Sequence, residues 1–349
     1  MHAPGPVQPK PGEELFQRDY GRAIHPAAGI MGSFRAGKRR RPGENQVARF
    51  LPLRYPVPMN LKEIFTQIRT PLIALAAMAY FVLVVVSHES VSLLYLEIFK
   101  RFGRSTMETS MHLGSTVMGV AVLGACLFVL NRRKRLSLQI LLLWAGMALC
   151  IILADVFFVV TNIERIHYIQ YALLSILIRT IVSDDYFALF LTVLAGIADE
   201  AVQYLWAPEY TRYLDFNDFV FNLLGGLLGI LLYLTFFSEN RPVSRGLVRA
   251  KVAVYGAVGL VLALLCAAMW AGRIIPCDPR DKGFHVIDKR EGRTVFVLSF
   301  VKHPDFWSVT DYGTRYHVLS PVEGTALLGV LLLGCRFLLK ERRSNGGAS

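Results

Sequence analysis

A chain of 349 residues with 54% hydrophobic residues, 18% charged residues and a mean hydropathy of +0.42 is too apolar for an ordinary soluble domain. It is also too charged to lie wholly inside a membrane. The formal net charge of +12 would suit nucleic acid, but the apolar runs each match a bilayer in length, so the charge is assigned to loops and no nucleic-acid partner is expected.

Residues 1–69 are rich in Pro, Gly and Arg, carry the cluster Lys38, Arg39, Arg40 and Arg41, and show no hydrophobic period, so they read as a disordered basic tail. Met59, followed by Lys62, Arg69 and an apolar helix, forms a natural alternative start. No cleavable signal peptide is expected, because the first apolar run follows the long polar tail and should stay as an anchor. Spans are expected near 70–87, 112–130, 137–160, 165–182, 186–206, 217–237, 252–273 and 321–339, each close to the roughly 20 residues that cross a bilayer. The fold class is therefore an all-α polytopic membrane protein of about eight transmembrane helices with a small extracytoplasmic β-containing loop. Its parts are three helices over 70–160, a three-helix core over 161–237, a loop and seventh helix over 238–273, the outer loop 274–320, and the last helix and tail 321–349.

Orientation follows from the basic residues. The tail, the turn Arg132 to Arg135, the loop bearing Arg241, Arg245, Arg249 and Lys251, and the end bearing Lys340, Arg342 and Arg343 all fall on one side if eight spans are present. By the positive-inside rule that side is cytoplasmic, so the chain is expected in the cytoplasmic membrane with both termini in the cytoplasm. Lys100, Arg101 and Arg104 run against this, and Val91 to Phe102 is read as an amphipathic segment at the interface. The outer loop holds an apolar, β-branched run from Arg293 to Lys302 that predicts a small β-rich cap. Its aromatics Phe306, Trp307, Tyr312 and Tyr316 are expected to pack the loop. Cys126, Cys150, Cys266 and Cys335 lie in apolar runs and only Cys277 in a polar loop, so neither a disulfide framework nor a CxxC metal site is visible.

The sequence becomes specific where three successive helices carry polar residues at their outer ends. The fourth begins Glu164, Arg165, Ile166, His167 and reaches Tyr171, with Glu164, His167 and Tyr171 on one face. The fifth ends with Asp199, Glu200 and Gln203, and the loop beyond carries Glu209 and Arg212. The sixth opens with Asp215 and continues through Asp218 and Asn222 to Gly225, Gly226 and Gly229. Asp218, Asn222, Gly226 and Gly229 share a stripe that should face protein, the glycines letting helices approach closely. Counting about 1.5 Å per residue sets His167, Glu200 and Asn222 at similar depth, so one pocket is expected. Such a pocket would bind a charged headgroup through Arg212, shuttle a proton through His167, or only lock the helices together by ion pairs. No metal and no cofactor is expected, because a single His with carboxylates at no motif spacing is a poor metal signature. Asp155 reads as a polar residue near the interface.

The run Glu200-Ala-Val-Gln203, then Arg212, then Asp215-Phe-Asn-Asp218-Phe-Val-Phe-Asn222-Leu-Leu-Gly225-Gly226-Leu-Leu-Gly229 resembles the signature of the VanZ-like family, which has Glu-x-x-Gln, a downstream Arg and Asp-x-x-x-Asn-x-x-x-Gly. Glu164-Arg165-Ile-His167-Tyr-Ile-Gln-Tyr171 is similar to that family's Asp-Lys-x-x-His-x-x-x-Tyr opening, with the charge pair conserved in kind. The resemblance covers residues of about 160–237 and implies a cell-envelope role, associated in the family with resistance to a lipid-tailed glycopeptide antibiotic, and no particular reaction. The expected partners are membrane lipids and a lipid-linked or lipopeptide ligand. The alternatives are an intramembrane enzyme with His167 as general base and, behind it, a proton-coupled transporter.

Overall fold

The structure is a computed structural model that describes residues 61–206, 213–237, 245–277, 286–290, 292–300, 305–309 and 313–345. Most of the expected basic tail, Arg212, Arg241 and Tyr312 lie outside the described residues. Among those described, eight α-helices and five short strands follow one another. Helix α1 spans Leu61–Phe102, α2 Arg104–Arg132 and α3 Leu138–Phe157; a 3₁₀ turn, Asn162–Arg165, leads into α4, Ile166–Ile181. Then come α5, Asp185–Trp206, α6, Phe216–Phe236, α7, Arg245–Trp270, and α8, Pro321–Asn345.

Seven of these helices are long and apolar enough to cross a membrane, and the chain is a multi-pass helical membrane protein. Helix α4 is the exception to the eight expected full-length spans. Its 16 residues rise only about 24 Å, and it packs between α1, α5 and α6. A second correction concerns α1, whose 42 residues form one helix where a span and a separate interfacial segment were expected. No Gly or Pro stands between Leu72 and Phe102 to break it, and the stop comes at Gly103, whose φ of 78° turns the chain directly into α2.

Helix α6 is the hub. It is apolar all round, buries most of its length, and contacts α4, α5, α8, α3 and α2. Gly225 and Gly229 allow α4 against it: a Cβ on Gly225 would stand 2.7 Å from the His167 carbonyl oxygen, and one on Gly229 would run into that of Ala172. Gly226 instead faces α5, at Leu189 and Thr192. Helix α7 has no buried residue in its span, and exposed leucines and valines cover α1, α2, α3 and α7, as lipid contact requires.

The two ends of the bundle differ chemically. At one, Arg133 Nη1 donates to the Thr235 and Phe236 carbonyls at the end of α6 (3.1 and 2.9 Å), Gln139 donates to Leu338 O, and Lys251 pairs with Asp184. The basic α2–α3 turn, the start of α7 and the end of α8 thus share that end. The opposite end carries the β cap: β1, Ile274–Cys277, pairs parallel to β3, Arg293–Ser299, which pairs antiparallel to β2, Ile287–Arg290. A second pair, β4, Ser308–Val309, and β5, Arg315–Tyr316, completes it. The expected run from Arg293 becomes a strand whose Val295, Val297 and Ser299 point inward while Phe296 is exposed.

The cap is tied to the bundle by two side chains. Tyr204 of α5 donates its hydroxyl to Val297 O (2.6 Å) and accepts from Ser299 N (3.0 Å). Asn217 of α6 donates to His317 O (2.9 Å) and accepts from Leu319 N (3.0 Å), while Trp307 stacks on Phe157 with ring centroids 5.5 Å apart.

Candidate functional site

Under the cap, the start of α4, the end of α5 and the start of α6 bring their polar residues together. His167 Nδ1 lies 2.8 Å from Asn222 Oδ1, and its Nε2 faces Asp218 Oδ1 at 3.8 Å. One donor atom each from His167, Glu200 and Asp218 falls within 4.8 Å of the others. Tyr171 stacks beneath the imidazole, 6.1 Å between centroids, and donates its hydroxyl to Asp199 Oδ2 (2.8 Å). The close approach needed here comes from small residues: a Cβ on Gly196 of α5 would meet the Asn222 side chain at 2.8 Å.

Burial is nearly complete. His167 is 3% exposed, Asn222 and Glu200 1% and Asp199 0%, whereas the Asp218 side chain keeps 16% and forms the opening. Among the described residues, Asp199 Oδ1 and Glu200 Oε1 in this shell accept no hydrogen bond, while Asn222, whose Oδ1 is taken by His167, turns its amide nitrogen toward the Glu200 carboxylate. Each such buried atom costs on the order of 1–3 kcal/mol when unsatisfied, so two carboxylate oxygens in one place mark a site made for something besides its own side chains.

Several expected members have other duties. Glu164 folds back to accept from Val160 N (2.8 Å) and Thr161 N (3.2 Å), capping the 3₁₀ turn. Arg165, expected as a partner within the pocket, pairs instead with Asp155 (2.8 Å), which also accepts from Tyr168. That ion pair lines a separate cleft of about 360 Å³ with Glu108, His112 and Asn162. Asp215 is the N-cap of α6, accepting from Asn217 N at 2.9 Å.

Glu164 and Asp215 nevertheless border the opening electrically. Burial, and then the Asp218 carboxylate, hold the Glu164 carboxyl well above its ordinary range and raise that of Asp215 to about 7. Tyr213 and Tyr316 feel the same negative charge: Asp215 raises the Tyr213 phenol, and burial followed by Glu164 raises that of Tyr316. With Arg165 engaged elsewhere, the described surroundings of the site are rich in acceptors.

One member escaped the sequence. His88 of α1 brings its ring to 5.9 Å from that of His167. It stands at the end of the apolar run that predicted the first span, far from the polar motifs in sequence, and only the folding of α1 against α4 shows it. Tyr80, two turns earlier, confirms that contact by donating to Gln170 O (3.2 Å).

No family model, no curated protein and no solved structure matches the chain.

Proposed function

We propose that the protein is a VanZ-like membrane protein of the cell envelope that engages the headgroup of a lipid or lipid-tailed compound at the centre formed by His167, Glu200, Asp218 and Asn222. The basic end of the bundle faces the cytoplasm and the capped end lies outward, in keeping with the positive-inside rule. What carries the proposal is the set of unpartnered buried polar atoms at one end of three packed helices, opening at Asp218. Ionisable groups inside a membrane are retained for function more often than for packing. Because carboxylates dominate the described wall, an anionic headgroup would enter together with a counter-cation; Arg212, the positive side chain that the family resemblance expects, lies outside the described residues.

Purified protein in nanodiscs of fixed lipid composition tests this. Binding of a fluorescent anionic lipid should fall at least tenfold in Glu200→Gln and in Arg212→Ala. Equal binding by wild type and both variants removes the headgroup role.

Among the alternatives, general-base chemistry at His167 draws support from its Asn222 hydrogen bond, which fixes the imidazole tautomer. Lipid extracts of cells carrying His167→Ala would then show an altered lipid-linked species.

A further inference from the structure

We infer that His167, Glu200 and Asp218 form a binding site for one divalent transition-metal cation, a site that deepens the headgroup reading by supplying the counter-cation it needs. The donor atoms lie within 4.8 Å of one another and come from α4, α5 and α6, so no spacing motif along the chain discloses them.

The hydrogen-bond pattern sets the donor state. Asn222 Oδ1 can only accept, so His167 Nδ1 carries the proton and Nε2 presents a lone pair. That nitrogen lies 3.8 Å from Asp218 Oδ1, which is too far for a hydrogen bond and sets acceptor beside acceptor. Glu200 adds Oε1, an oxygen with no partner among the described residues, on a side chain only 1% exposed. A cation among the three satisfies all of them at once.

One imidazole nitrogen with two carboxylate oxygens suits a metal of borderline hardness better than Mg²⁺ or Ca²⁺, which take oxygen ligands. Bonds of about 2.0–2.2 Å set tetrahedral ligands roughly 3.4 Å apart, so closure asks for about an ångström of side-chain movement. The Asn222 amide holds the imidazole from behind, as outer partners of metal-bound histidines do. The side open at Asp218 leaves a coordination position for water or a headgroup phosphate, and His88 borders the imidazole.

Full-length protein, stripped with chelator and held in detergent without added lipid, is titrated with Co²⁺ and followed by its visible absorption. One Co²⁺ per chain should bind and be displaced by Zn²⁺ but not by Mg²⁺. Glu200→Gln and Asp218→Asn should each weaken binding at least tenfold, whereas Asp288→Asn on the cap should not change it. X-ray absorption of zinc-loaded wild type carries the test if either variant fails to fold: it should show imidazole nitrogen and carboxylate oxygen with no sulfur. Absence of stoichiometric binding, affinity unchanged in the folded variants, or a sulfur ligand overturns the site. Metal binding without lipid binding would remove only the headgroup reading; chelator-insensitive lipid binding would remove only the metal.

Discussion

Asp215 caps α6 with a carboxyl whose proton is held to about pH 7 by burial and by Asp218, with Glu164, His167 and Tyr213 as its other charged or titratable neighbours. The folded state keeps protons that the unfolded chain releases near pH 4, so this contribution is fully present below that point and is lost as pH rises through about 7. Glu164 is shifted in the same direction and adds to the trend. Chelator-treated protein in detergent should therefore show a thermal midpoint that declines between about pH 5 and about pH 8. Asp215→Asn keeps a side-chain cap and should flatten that decline; an unchanged slope contradicts the assignment. At this scale the sequence was legible where polar residues interrupt apolar helices, as at His167, Glu200 and Asn222. It was misleading at Glu164 and Arg165, which look like pocket members but respectively cap the 3₁₀ turn and pair with Asp155.

Among elements, the α4–α6 contact depends on two missing side chains. Gly229→Ala would drive a methyl into the Ala172 carbonyl, which is backbone and cannot rotate aside. A loss of about 1–3 kcal/mol is expected, enough to lower the thermal midpoint by several degrees, whereas Gly256→Ala on α7, where a Cβ meets nothing, should be silent. The close-packing glycines were readable before the structure, although the expected stripe through Gly226 and Gly229 divides: Gly229 faces α4 together with Gly225, while Gly226 faces α5. The cap was readable as β-prone but its attachment was not, since Tyr204 and Asn217 look like ordinary helix-end residues. Tyr204→Phe removes both hydrogen bonds to β3, and hydrogen exchange at residues 297–300 should accelerate while that of α6 stays unchanged.

For the molecule as a whole, apolar length and basic loops were enough to give a polytopic helical bundle, because hydrocarbon leaves the backbone few other choices. They do not reveal that α4 is shorter than a full span or that α1 continues without a break, since both depend on tertiary contacts and on where a breaker stands. On the proposed orientation, with the basic end inside, single cysteines at Ser137 and Phe296 should differ in native membranes: an impermeant thiol reagent should label position 296 from outside and spare position 137. Reversed labelling would invert the bundle.

Whether three helix ends meet in one buried polar centre is read by cross-linking in native membranes, using paired cysteines in a chain whose five native cysteines have been replaced. Pairs at positions 167 and 218, and at 167 and 200, should join within a single chain through a short bifunctional thiol reagent, while a pair at 167 and 254 should not. Failure of both site pairs in folded protein, with the 167 and 254 pair joining instead, would contradict the arrangement.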